Sequence, residues 1–217
     1  MSGNAGAMVR YSLFSRSVHW LTVILMIGMV YTGFVGFAGA PPVGAGGPAG
    51  SVRAPPMVLR ALPAGPAATP QAEDPAGGVR AFDLVPSHKA MGVTILLLTI
   101  ARLVYRMVCK VPALPADLPV WQARAARGVE GLIYLGLLVQ PLTGWTFSST
   151  MLGRGFTYFG LFTVPPVPLE RSIAPALHFL HIYGAWALLG LIGLHALGAL
   201  YHHYVRKDDV LLGMLRG

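Results

Sequence analysis

A single cysteine, Cys109, stands in the 217 residues. That excludes an intrachain disulfide, a CxxC redox pair and a cysteine-rich metal site. Charge is scarce too: Asp, Glu, Lys and Arg make up 11% of the chain, against about 25% in an ordinary soluble domain. Acids are the scarcer sign, 8 against 16 Lys and Arg. No internal repeat is present, which sets solenoids and propellers aside. No secretory leader is expected, because the first apolar run is too long for an h-region and lacks an Ala-x-Ala site.

Apolar residues are abundant, at 54% of the chain, and the mean hydropathy is +0.61. Four apolar runs fit membrane-spanning helices: about Val18 to Ala38, His88 to Val108, Gly131 to Met151 and Ala174 to Val205. The expected fold class is therefore all-α, an integral membrane four-helix bundle, and 217 residues suffice for one such bundle and no folded soluble domain besides. The pI near 10.1 raises nucleic acid as a partner. The Lys and Arg cluster beside the apolar runs, as topology determinants do, so lipid is the partner expected and nucleic acid is not. With the N-terminus inside, ten of the 16 Lys and Arg fall on the cytoplasmic side and six outside. Both termini are thus expected in the cytoplasm, with the protein in a bacterial inner membrane.

Between the first two runs, about Gly39 to Pro86, the chain is rich in Gly, Pro and Ala and has no hydrophobic period. It reads as a long external loop with no packed core of its own. Ser172 with Pro175 marks the start of the fourth helix. Pro141, with Gly144 close by, predicts a kink in the third.

The histidines carry the chemistry. His19, His88, His181 and His195 lie at the ends of apolar runs. His181 and His195 are fourteen residues apart, roughly 40° short of four full turns, so they share a helix face at about 21 Å axial separation. Imidazoles inside a bilayer are costly and usually functional. Matching depths pairs His19 with His195 near the inner face and His88 with His181 near the outer face. One imidazole from each of two facing helices is what a bis-histidine haem needs, so two haem b groups stacked across the membrane are expected. Zinc is the rival metal, but it wants three or four ligands in one tetrahedron, and neither pair is completed by a Cys or carboxylate. His178 competes with His181 but is about 100° out of phase with His195. His202 continues the ligand face seven residues below His195 and reads either as an interfacial residue or as a quinone-contacting, proton-relaying one. Arg102 and Arg106, four apart near a helix end, read as snorkelling cations or as partners of haem propionates. Lys89 and Arg154 are outer attractors for an anion.

These residues resemble the bacterial cytochrome b561 family of four-helix, di-haem membrane cytochromes. The resemblance is carried by RYSLFSRSVHW around His19, HKAMG at His88, ARLVYR from Ala101 to Arg106, PLTGW at Pro141 with Ser148 and Ser149, and FGLF from Phe159 to Phe162. The block LHFLHIYGAWALLGLIGLHALGALYHHYVRKDDVLLGML at the end is the most specific. It implies that His19, His88, His181 and His195 are haem b ligands. One branch of the family includes superoxide oxidase, which passes electrons from superoxide outside to ubiquinone inside, and His202 falls where that branch has a quinone-site histidine. Three departures stand out. The loop before His88 is longer than usual, Arg127 and Glu130 occupy positions where the family often has histidines, and Ile182 stands where a Glu commonly follows the histidine.

The expected function is electron transfer from an external donor, with superoxide as a candidate, through two haems to ubiquinone near His202. The competing readings are an electron-relay subunit serving a partner dehydrogenase or respiratory complex, and a non-redox zinc-binding membrane sensor.

Overall fold

A computed structural model of the chain describes residues 10–36, 84–109, 112, 115, 117–167 and 169–216. The fold is helical, with one small hairpin. Its elements are α1 (Leu13–Gly36), α2 (Leu84–Val108), α3 (Val120–Leu152), β1 (Phe156–Tyr158), β2 (Phe162–Val164), α4 (Ala174–Tyr201) and α5 (Val210–Leu215). α1 packs on α2, α2 on α3 and α3 on α4, whereas α1 and α4 do not pack closely. Both described chain ends lie at one end of the bundle, here the terminal end; the hairpin follows α3 and lies beside α2.

Local chemistry sets several boundaries. Ser12 caps α1, its hydroxyl accepting the Ser15 N–H at 3.2 Å. α3 ends on Gly153, left-handed at φ 63°, whose N–H reaches the Ser149 carbonyl at 2.8 Å. α4 begins after a 3-10 turn, with Pro175 in its first turn, where proline's missing N–H costs nothing.

Three expectations need correction. α3 starts at Val120, well before Gly131. Its first three turns, VWQARAARGVE, are built of Ala, Gln, Arg and Glu, good helix formers that a search for apolar runs passes over. α2 starts at Leu84, so the last residues assigned to the loop are helical, with Pro86 tolerated in the first turn. The rest of that loop and the end of the first run at Ala38 lie outside the described residues. The fourth helix turns into a π-helix over His202–Arg206 rather than running on as α-helix. The stretch after α3, which carried no structural expectation, is an antiparallel hairpin pairing Phe156 with Val164 and Tyr158 with Phe162. Its turn uses positive φ at Phe159 (44°) and Gly160 (77°).

Three helical stretches are long and apolar enough to cross a membrane: Leu13–Val35, Leu84–Val108 and Arg171–Arg206. α3 has 33 residues, but its distal half carries Gln140, Thr143, Ser149 and Thr150. All four are buried, so the polarity that lowers its apolar character faces the bundle. The outside is the reverse: Ile24, Ile27, Leu97, Leu135, Leu194 and Leu197 are exposed, as a lipid-facing surface requires.

The interior is layered. On every long helix one stripe recurs at seven-residue spacing: His19, Met26 and Gly33 on α1; Arg102, Ile95 and His88 on α2; Glu130, Leu137 and Gly144 on α3; His195, Leu188 and His181 on α4. Seven residues fall only about 20° short of two turns, so each stripe keeps its face inward. The middle layer is apolar: Ile95 (1% exposed), Leu137 and Leu188 form the buried core, with Met26 packed against it. The layers above and below it hold the histidines.

Candidate functional site

At the hairpin end, His88 of α2 faces His181 of α4, their ring centres 6.3 Å apart. The other two residues of that layer are glycines. A Cβ on Gly33 would meet the His88 Cε1 at 3.4 Å, and one on Gly144 the His181 Cε1 at 2.7 Å. Both Nδ1 atoms are engaged. The Thr32 hydroxyl donates to the Gly28 carbonyl at 2.8 Å, so its oxygen accepts from His88 Nδ1 at 3.2 Å. His181 Nδ1 donates to the Gln140 carbonyl at 3.1 Å, and the Gln140 side chain donates to the His181 carbonyl at 2.9 Å. With the proton on Nδ1, each ring keeps the Nε2 lone pair for a ligand role.

At the terminal end, His19 of α1 faces His195 of α4 with ring centres 6.2 Å apart. They line a cavity of about 320 Å³ together with Arg102, Glu130 and Tyr134. Arg102 donates to His19 Nδ1 at 3.0 Å. A guanidinium has no acceptor, so in this arrangement the His19 proton sits on Nε2, and ligation through Nε2 needs Arg102 to turn aside. Arg106 is paired with Glu130. Both guanidinium groups lie over the Tyr134 ring, at 5.7 Å for Arg102 and 5.6 Å for Arg106. The Tyr134 hydroxyl is buried, with no hydrogen-bond partner within ordinary distance among the described residues. Nearby, burial first and the Glu130 charge second push the Tyr11 phenol above its usual range, so it stays neutral.

Beyond that layer, His202 Nδ1 donates to Asp208 Oδ2 at 2.6 Å. Arg206 bridges Asp208 at 3.3 Å and Asp117 at 2.6 Å, tying the segment before α3 to the C-terminal turn. Burial opposes the Asp208 charge, but the bonds from His202, the Val210 N–H and Arg206 outweigh it and hold the carboxyl below the usual range. His178 packs against Phe147 at 4.9 Å. Lys89 lies 5.8 Å from the centre of the Phe156 ring, under the hairpin. Sequence reasoning missed Thr32, Gln140, Thr143 and the cavity-facing position of Glu130. The seven-residue offset of Glu130 from Leu137, and of Leu137 from Gly144, was the signal for the last. Among the described residues, no group of three or more His, Cys, Asp or Glu is arranged to hold a metal ion, which the zinc-sensor reading would need.

Residues 10–217 match the family of prokaryotic cytochrome b561, and the chain belongs to it. It is a membrane electron-transfer protein of a haem b family. Among its relatives are cytochrome b561 homolog 1 of Escherichia coli, 32% identical over 59% of this chain and 73% of that protein, and a cytochrome b562 of Cereibacter sphaeroides, 32% identical over 59% and 66%. A probable superoxide oxidase CybB of Yersinia pestis is 32% identical over 59% and 72%.

The facing imidazoles of each layer, with ring centres 6.2 and 6.3 Å apart, are nitrogen donors of the kind that would hold a haem iron. Small residues flank one pair; cationic and phenolic groups flank the other.

Proposed function

We propose that the chain is a di-haem cytochrome b that carries electrons across the membrane, from a donor at the hairpin end to ubiquinone at the terminal end. The observation that carries this reading is the two facing histidine pairs, joined by one face of α4 about 21 Å long. When bound, haem supplies the one-electron chemistry. The chain does the rest. His88 and His181 hold one iron, oriented by Thr32 and the Gln140 carbonyl; His19 and His195 hold the other. Arg102, once off His19, faces the cavity as the cation for a propionate. Ile95, Leu137 and Leu188 keep water out between the two layers. The donors come as two separate pairs rather than one three- or four-ligand group among the described residues, and this together with the family favours the di-haem reading over a sensor.

For the acceptor, His202 is the proton-handling group. Its Nδ1 is committed to Asp208, so Nε2 faces the acceptor, as a hydrogen-bond partner when neutral and a proton donor when charged. One such bond contributes about 0.5–1.5 kcal/mol. His202→Leu is therefore expected to leave both haem spectra intact and to slow oxidation of the reduced protein by ubiquinone roughly tenfold, since about 1.4 kcal/mol is one decade. Stopped-flow oxidation decides it; wild-type rates would move the acceptor site elsewhere.

For the donor, kinship with a probable superoxide oxidase makes superoxide the first candidate, with Lys89 and Arg154 as attractors for the anion. Fast superoxide consumption by the isolated protein would support it. Stable co-purification with other redox subunits would point instead to a protein donor. Orientation rests on the excess of Lys and Arg near the terminal end. Protease added to intact spheroplasts is expected to cut between Gly39 and Pro86 and to spare a C-terminal tag. Loss of the tag would reverse the inner and outer labels.

A further inference from the structure

We infer that the Arg106–Glu130 pair sets the redox potential of the terminal-end haem, with Glu130 as the group that lowers it. The inference rests on the reading of His19 and His195 as ligands to that haem. Glu130 lines the same cavity as both histidines. Arg106, one turn along α2 from Arg102, is held by Glu130 and is not among the described residues lining the cavity. Glu130 thus does two things at once. It puts a negative charge at the cavity wall, and it engages the second guanidinium in an ion pair, leaving Arg102 as the cation among the described lining residues. Reduction adds one electron from an external mediator to the ferric iron, so the site's charge falls by one. A nearby carboxylate opposes that step and a nearby guanidinium favours it. The two opposite charges are paired, so each partly cancels the other's field at the iron and the effect of the intact pair is moderate.

The opposite signs give a test that packing damage cannot imitate. The purified holoprotein is titrated potentiometrically, with each haem followed by its absorbance, in wild type, Glu130→Gln, Arg106→Gln and the double variant. At a fixed ambient potential, Glu130→Gln is expected to raise the reduced-to-oxidised ratio of the terminal-end haem roughly three- to tenfold. Arg106→Gln is expected to lower it by a similar factor, and the double variant to return near wild type. The His88–His181 haem, about 21 Å away, serves as the control and should shift less than the terminal-end haem, because the interaction falls off with distance. Shifts of one sign in both single variants, or none in either, overturn the inference. If His19→Ala keeps the full haem complement, the underlying ligand reading falls instead, so the two failures are told apart.

Discussion

Replacing His19 or His195 with alanine is expected to cost the protein one haem and leave the other spectrally intact; replacing His88 or His181 is expected to remove the other one. The expectation follows from the two ring pairs, at 6.2 and 6.3 Å, and from what separates them. Ile95, Leu137 and Leu188 form a dry layer two turns from either pair, so damage at one level has a packed plug to cross before it reaches the next. Each histidine of a pair would supply half of the protein's direct hold on the iron, so removing one would weaken the site's grip on the group. A pyridine haemochrome assay should fall from two haems per chain to about one, and the reduced-minus-oxidised spectrum should lose one component. His178→Ala is expected to keep both, since that ring packs, tilted, against Phe147. Loss of the same haem in His19→Ala and His88→Ala would break the pairing by depth.

The second large effect comes from a residue with no side chain. A Cβ at position 144 would lie 2.7 Å from His181 Cε1 and 3.1 Å from its Nδ1. The ring cannot swing away cheaply, because Nδ1 is bound to the Gln140 carbonyl and the same glutamine clasps the His181 carbonyl. Gly144→Val is therefore expected to empty the His88–His181 layer almost as fully as His181→Ala, and Gly144→Ala to weaken it. Gly136→Ala is the matched control. Its added methyl would come as close, 2.8 Å, but to the Cδ1 end of Leu188, a flexible side chain that moves at modest cost. Haem content measured per chain separates the two. Equal losses from Gly136→Ala and Gly144→Ala would mean that general crowding, not the histidine's position, limits the site.

Much of this arrangement is legible in the sequence because helices convert spacing into direction. The fourteen-residue offset of His181 and His195 fixes a face and a depth on α4, and the antiparallel order of the runs supplies the opposing rings. α3 is less legible for the same reason in reverse. Its contributions to the histidine layers are a glycine and a carboxylate, and neither announces a site. Glycine leaves no trace in a hydropathy pattern, and Glu130 sits among charges that look like topology signals. The hydrogen bonds to Nδ1 are hidden as well, since Thr32 and Thr143 resemble ordinary helix threonines bonding to carbonyls one turn back.

The hairpin is missed for a different reason. Its strands have three residues each, too short for a period-two pattern to stand out. What fixes them is tertiary: Tyr158 shares a hydrogen bond with Thr94 of α2 at 2.9 Å, and Trp145 donates to the Pro165 carbonyl at 3.1 Å. The local turn alone would not predict this, because it asks Phe159 for a positive φ that a bulky residue adopts only under constraint.

The terminal-end layer joins the first helix to the last. His19 meets His195, while Trp20 and Arg16 of α1 donate to the Met214 and Leu215 carbonyls of α5 at 3.2 and 3.5 Å. During synthesis α1 must therefore wait for its partners. At about 5–20 residues per second, roughly 10–35 s pass between the making of the two halves of that layer. The hairpin-end layer waits for less, because His181 is made before His195 and lies on the portion of α4 that emerges first. Biogenesis thus has a built-in order: both histidines of the His88–His181 layer are made before the His19–His195 layer has its second one. A chain truncated between His181 and His195 would carry both rings of one layer and a single ring of the other.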